Sequence, residues 1–427
     1  MSIAIKIENL SKQYRLGLVS TRILSHDFNR WWQTSILGRE DPYLKVGETN
    51  VRESKGTSEY VWALKDINLE ISKGDIIGII GKNGAGKSTL LLTLNGTIRP
   101  DKGSIIFQGK PVSYDRTSLR KIRQKIGFVF QDPDVQIIAP TVWQDVAFGP
   151  VNLDYTDEQV RQSVTDALHN VGMEGFEKRP PYHLSGGEKK RVAIAGILAM
   201  DPEVLVLDEP TSMLDPAGSE DIMDLLDELN LQGKTIIIST HDVELAFTWA
   251  DRIILMEKGK IIGSGTPEEA FSDKEMIRRA RLKTPVLLEL FYELKSRGLK
   301  TSETLPRTVL DIIRIIEHDH HGTIRLPGNG YGTIHVGDVD KMSGTDVSDI
   351  LARTSHDSIG VMGSRAKIYA RKWGFIPDIS YAVIDKCILQ AMNGRSSIIL
   401  TTGRMVTRVF ERVTIFNQAN DRSIPVR

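Results

Sequence analysis

Residues 78–91 read "GIIGKNGAGKSTLL", and they decide the fold. The stretch carries the spacing G-x-x-x-x-G-K-[ST] through Gly81, Gly86, Lys87 and Ser88. An apolar run, "DIIGII", precedes it and predicts a buried strand. A helical run, "STLLLTLNG", follows it. A glycine-rich turn between a strand and a helix lets backbone N–H groups close on phosphate oxygens, and the helix N-terminus adds its positive dipole end. Gly81, Lys82, Asn83, Gly84, Ala85, Gly86, Lys87, Ser88 and Thr89 are the expected phosphate cradle. Lys87 is expected on the β- and γ-phosphates and the Ser88 hydroxyl on Mg²⁺.

Working outward, "EVLVLDEP" (203–210) is a second buried-strand pattern, ending on Asp208 and Glu209. A carboxylate at the carboxyl edge of a parallel strand faces the ligand crevice. Asp208 is therefore expected in the Mg²⁺ shell, and Glu209 is expected to polarise an attacking water. Residues 61–271 alternate strand and helix patterns, the mark of an α/β fold. Residues 16–60 lack periodicity and read as an insertion. Residues 272–322 read as helices and a linker. Residues 323–427 alternate strands and helices again and predict a second, small α/β domain. The domains expected are thus 1–271, 272–322 and 323–427.

Composition narrows the class. Fifty-five basic residues balance fifty-five acidic ones, so no basic excess points to nucleic acid. The single cysteine, Cys387, excludes an internal disulfide framework and suits a reducing compartment. No apolar run approaches the roughly 18–20 residues that span a bilayer, and the start lacks a signal peptide's apolar core. Any membrane role is expected to pass through partners.

"LSGGEKKRVAIAGILA" (184–199) resembles the signature motif of the ATP-binding cassette (ABC) ATPases. Gln131, Asp215 in "SMLD" and His241 in "IIISTHD" match that family's Q-loop, D-loop and switch histidine, in order. The resemblance covers all of 61–271. It implies an α/β P-loop NTPase fold with a RecA-like core, a helical signature subdomain and an antiparallel β subdomain. It also implies a head-to-tail dimer, with a second copy or a paralogous ATPase, sandwiching two ATP molecules. Each site would join one subunit's Gly81–Thr89 loop to Ser185, Gly186, Gly187 and Glu188 of the other, with Asp215 nearby. Gln131 would join Ser88 and Asp208 around Mg²⁺, His241 would hold the γ-phosphate and water in line, and Tyr14 looks like the aromatic that stacks on adenine.

"FQDPDVQIIAPTVWQDVAFGPVNLDY" (130–155) resembles the segment that meets the membrane subunit in energy-coupling-factor importers of the cobalt/nickel type. The resemblance runs over about residues 90–300 and more loosely through the tail. It implies an ATPase that drives transport from the cytoplasmic face of the cell membrane, with permease subunits meeting Gln131–Leu153. Residues 1–90, including "LSHDFNRWW" with Trp31 and Trp32, resemble polysaccharide-export ATPases instead. An ATPase of an exporter is thus the alternative, and a non-transport ABC protein a second one. The import-type 131–153 segment and the absence of an all-β tail favour import.

Three features stand outside this reading. "EHDHHG" (317–322) offers His318, His320 and His321, which suit Co²⁺ or Ni²⁺, but neighbouring residues in a loop read more simply as a polar linker. "VMGSRAKIYARKWG" (361–374) is a strand–Gly–helix turn with anion-binding shape and no full glycine fingerprint, so it reads as a structural turn. Cys387 falls on an apolar helical position and is expected in a core.

Overall fold

The computed structural model describes residues 2–15, 48–49, 60–280, 282–299, 305–319, 330–420 and 422–427. The tryptophan pair, most of the 16–60 insertion, His320 and His321 lie outside the described residues. The chain forms two compact units, Met1–Ile126 with Ile237–Lys283, and Gly127–Ile236 with Thr284–Arg427.

In the first unit, β1 (Ile3–Arg15), β2 (Tyr60–Ser72) and β4 (Lys102–Phe107) form an antiparallel sheet with β1 in the middle. Ile5, Ile7, Leu64, Ile67, Ile71 and Ile105 face its core. The other sheet of this unit is built on β3 (Ile76–Ile80), every residue of which is buried. Such an unbroken apolar run is what a strand covered on both faces needs. β8 (Arg252–Glu257) lies parallel beside β3, and β9 (Lys260–Gly265) closes that edge antiparallel to β8. β7 (Thr235–Thr240) passes from the second unit into the first and lies on the other side of β3. Helix α1 (Lys87–Leu94) leaves β3 through the glycine-rich loop.

In the second unit, β5 (Ile126–Val129) and β6 (Val204–Asp208) are neighbouring buried strands. The helices α2 (Val142–Asn152), α3 (Asp157–Asn170) and α4 (Gly186–Leu198) pack together beside them. α4 buries Val192, Ala193, Ile194, Ala195 and Leu198, each large aliphatic among them worth roughly 1.5–3 kcal/mol. Helix α5 (Pro216–Leu231) starts on an Asp215 cap, whose carboxylate accepts from Gly218 N–H at 2.8 Å. Two further helices, α6 (Val286–Ser296) and α7 (Val309–Asp319), lead to the tail.

The tail, which lies within the second unit, alternates strands and helices. β10 (Ile334–Asp338), β12 (Ser397–Thr401) and β11 (Ser358–Val361) form a wholly parallel sheet in that order. The helices α8 (Gly344–Arg353), α9 (Ser364–Lys372), α10 (Val383–Met392) and α11 (Arg404–Asn420) cover it. Cys387 is fully buried there among Val383, Ile399 and Val409. Burial pushes its thiol up to about 12, which suits core packing and not reactivity. Leu310 and Ile313 of α7 share this core.

The strand–Gly–helix turn at Gly363 does receive anions, and they come from the chain itself. Gly363 N–H donates to Asp224 at 3.2 Å and Ser364 N–H to Glu228 at 3.1 Å, both on α5. Ion pairs surround them. Lys367 reaches Asp224 at 2.8 Å and Asp221 at 3.2 Å, and Arg408 reaches Asp227 at 2.8 Å. Asp221 also pairs with Arg191 of α4 at 2.6 Å and Arg371 of α9 at 3.3 Å. Burial alone would lower the Lys367 ammonium, but Asp224 and Asp221 outweigh it and hold it above its ordinary value.

Removing Asp221 strands the buried Arg191 and takes away one of the two carboxylates that hold the buried Lys367. Asp221→Ala is expected to cost about 3 kcal/mol, read as a lower urea midpoint. Glu228 carries a pH prediction. Burial raises its carboxyl to about 7, against the pull of Arg365 and with the help of Asp224 and Asp340. The folded chain holds that proton more tightly than the unfolded one, so the stability it gives is present below the ordinary carboxylate range and is lost as pH rises toward 7. Glu228→Gln is expected to flatten the melting temperature between pH 5 and 8, gaining on the order of 2 kcal/mol at the upper end after solvent screening. An unchanged pH profile in the variant would contradict this.

Candidate nucleotide site

In the first unit, the loop between β3 and α1 has the shape its glycines predict. Gly86 caps α1 with φ 101°, a left-handed backbone that a side chain resists. A Cβ there would meet the Ala63 carbonyl oxygen at 2.5 Å, and one on Gly81 would meet that of Met256 at 2.5 Å. Lys87 is buried and donates to the Gly81 carbonyl at 2.6 Å, which ties its ammonium across its own loop. Ser88 is exposed. Tyr14 sits at the end of β1, 44% exposed, beside Thr89. Burial raises its phenol, while a hydrogen bond with Thr89 opposes the rise. The ring predicted to stack on adenine thus adjoins the loop. His241 follows β7 directly and is exposed.

In the second unit, Asp208 ends β6 and is buried. Glu209 has φ 45°, uncommon for a residue with a side chain. Its turn is held by Ser212, whose N–H and Oγ both donate to the Glu209 carbonyl, at 3.1 and 2.9 Å. Such local strain clusters at functional sites. Gln131 Nε2 donates to Glu209 Oε2 at 3.3 Å, so two expected site residues far apart in sequence touch. Ser185 caps α4 in a capping box with Glu188. Gly187 has open space around it, which leaves the first turn of α4 accessible to a ligand.

The structure adds a residue that the motif reading passes over. Lys190, one of two lysines in "EKKR", is buried, and its ammonium donates to the carbonyls of Gln131 at 2.6 Å and Phe130 at 3.2 Å. Burial pulls it down to about 8, against the upward pull of Asp132, Asp208 and Glu209. Lys189 pairs with Asp134 at 2.7 Å, and the Gln136 amide bridges Phe130 N–H and the Ala193 carbonyl. The signature helix therefore holds the Gln131 loop by three separate ties. The lysines were visible in sequence, but their targets are sixty residues away.

The segment after Gln131 presents apolar side chains outward. Val135, Ile138, Phe148 and Val151 are 65, 66, 54 and 58% exposed. Asp145 is buried and accepts from Ile138 and Ala139 N–H, at 2.9 and 3.1 Å, which fixes the loop that carries two of them. Among the described residues, no group of three or more His, Cys, Asp or Glu is placed to hold a metal ion. No described helix is long and apolar enough to cross a membrane.

A family model described as ABC transporter matches residues 64–212. An energy-coupling factor transporter ATP-binding protein of Methanospirillum hungatei is 82% identical over 365 residues, which span 86% of this chain and 92% of that protein. A protein of the same description from Methanocaldococcus jannaschii is 58% identical over 227 residues, 53% of this chain and 81% of that one. Among solved structures, cbiO1 from Clostridium perfringens, described as part of the ABC transporter complex cbiONQ, is 38% identical with a TM-score of 0.51. It aligns with 69% of this chain and along its own whole length. With its phosphate loop, its Asp208–Glu209 strand end and its capped signature helix, the chain belongs to the ATP-binding cassette ATPases, in the energy-coupling factor transporter branch.

Proposed function

We propose that this ATPase powers uptake of a transition-metal ion such as Co²⁺ or Ni²⁺, as a head-to-tail dimer on the cytoplasmic face of the membrane. The observation that carries the transport reading is the exposed apolar surface of 135–151, held rigid and tied by Lys190, Lys189 and Gln136 to the signature helix. That arrangement lets a change at Gln131 reach a permease without a separate moving part. The metal preference rests on the sequence resemblance of 130–155 to importers of the cobalt/nickel type.

The site residues divide the work as follows. Gly81 to Thr89 cradle the β- and γ-phosphates through backbone N–H groups, with Lys87 leaving the Gly81 carbonyl to meet the phosphate charge. Tyr14 packs on adenine. Ser88, Gln131 and Asp208 hold Mg²⁺, an oxygen donor set of hydroxyl, amide and carboxylate that suits a hard cation. The metal supplies charge neutralisation along the transferring phosphoryl group. Glu209 accepts the proton of the attacking water and His241 aligns that water. In the partner copy, Ser185, Gly186, Gly187 and Glu188 close on the γ-phosphate, and Asp215 lines the dimer seam. Gln131 donates to Glu209 here, so one side chain links the base to the metal side.

Glu209→Gln is expected to keep ATP binding while turnover falls by at least about a hundredfold, measured as phosphate release beside nucleotide titration. Full turnover in the variant would remove Glu209 from the role of base. Lys190→Met is expected to loosen the Gln131 loop and lower kcat about tenfold or more with ATP affinity nearly unchanged. Phe148→Asp with Val151→Asp should abolish co-purification with a permease while ATP binding persists. Loss of metal uptake in cells carrying Glu209→Gln tests the substrate class, and unaltered uptake would refute it.

A further inference from the structure

The carboxyl edge of the tail sheet gathers donors in a place where open parallel sheets bind ligands. β11 runs through Gly363 into α9, and β12 runs through Thr401, Thr402 and Gly403 into α11. Gly363 has φ 96°, and a Cβ there would lie 2.6 Å from Glu228 Oε1 and 3.8 Å from Thr401 Oγ1. The Glu228 carboxylate, the Thr401 hydroxyl and the α9 N-terminus thus border one small space.

The donors at this edge exceed what α5 uses. Asp224 and Glu228 take the N–H groups of Gly363 and Ser364. The Thr401 hydroxyl is fully buried and without a hydrogen-bond partner, and so is the Nε of Arg365. Orphaned buried donors are costly, at about 1–3 kcal/mol each, and call for an explanation. A carboxylate offers two oxygens. A phosphoryl group offers three or more and could serve Gly363 N–H, Ser364 N–H and the Thr401 hydroxyl together.

Charge points the same way. The tail face that meets α5 carries Lys367, Arg371, Arg404 and Arg408. Their partners are Asp221, Asp224, Asp227 and the Leu231 carbonyl, all on α5. The tail's own acids beside Gly403 and Arg365 at this edge are Asp338 and Asp340. Asp340 pairs with Arg365, and Asp338 accepts from Gly403 N–H at 3.4 Å. Without α5, this face is a basic surface around a helix N-terminus.

We propose that the carboxyl edge of the tail sheet is a binding site for a phosphate-bearing small molecule, that Glu228 and Asp224 of α5 fill it in this state, and that the ligand displaces them and frees α5. The site stands independently of the transport reading. Only its effect on ATP turnover, through α5 and the Asp215 cap, rests on that reading.

The test uses the full chain carrying Lys87→Ala, so that binding at the nucleotide loop does not contribute. Pyrophosphate is the probe, and hydrogen–deuterium exchange over 216–231 and 358–372 is the readout. Pyrophosphate is expected to raise exchange in α5 while the first turn of α9 stays protected. Glu228→Ala, which removes one of the two carboxylates that fill the site, should tighten pyrophosphate binding. Thr401→Val removes only an unpartnered hydroxyl, so it should leave the ligand-free melting temperature unchanged or higher and weaken pyrophosphate about tenfold. Equal release of α5 by chloride at matched ionic strength would show simple screening and overturn the proposal. So would pyrophosphate binding that Thr401→Val leaves intact, or no binding even in Glu228→Ala.

Discussion

One buried carboxylate, Asp221, holds three parts of the chain together. It sits a turn and a half into α5, pairs with Arg191 on the signature helix and with Lys367 and Arg371 on the tail, and receives all of them at ion-pair distance. Buried charges are tolerated only when paired, so each of these residues constrains the others. The position of the signature helix, the helix that follows Asp215 and the tail domain are therefore one electrostatic problem with one solution. Ser364 reinforces it, since its hydroxyl donates to the Asp221 carbonyl at 2.7 Å.

The loop that carries Gln131 depends on a second buried charge of opposite sign. Lys190 is nearly inaccessible and spends its protons on two backbone carbonyls of the Gln131 loop. Arg191, its neighbour, points into the Asp221 cluster. Two adjacent cations on α4 thus face two different tasks, one fixing the loop that touches Glu209 and one anchoring α5. In the proposed cycle this makes α4 the element through which nucleotide, permease surface and tail communicate.

Much of the nucleotide site was legible because its chemistry is local. A glycine that must sit at φ 101°, a lysine one residue on and a strand ending in Asp208 are short-range patterns with a physical cause. The α/β character of the tail was legible for the same reason, through its alternating periods. What sequence reading missed was long-range pairing. Nothing in "EKKR" reveals that Lys190 seeks carbonyls sixty residues earlier, and nothing in "VMGSRAK" shows that its anion turn is filled by α5. The structural turn expected there is a docked one, because the acids of α5 supply the charge that the helix N-terminus favours.

The sequence by itself determined the phosphate loop, the strand that ends on Asp208 and Glu209, and the alternation of strands and helices, since each follows from residue type at a fixed spacing. Tertiary structure alone decided which charges meet. It placed Gln131 on Glu209, Lys190 under the Gln131 loop, and the basic face of the tail on the acidic face of α5. The physical reason is that backbone geometry acts over a few residues, whereas a buried charge must find its partner wherever the fold delivers one.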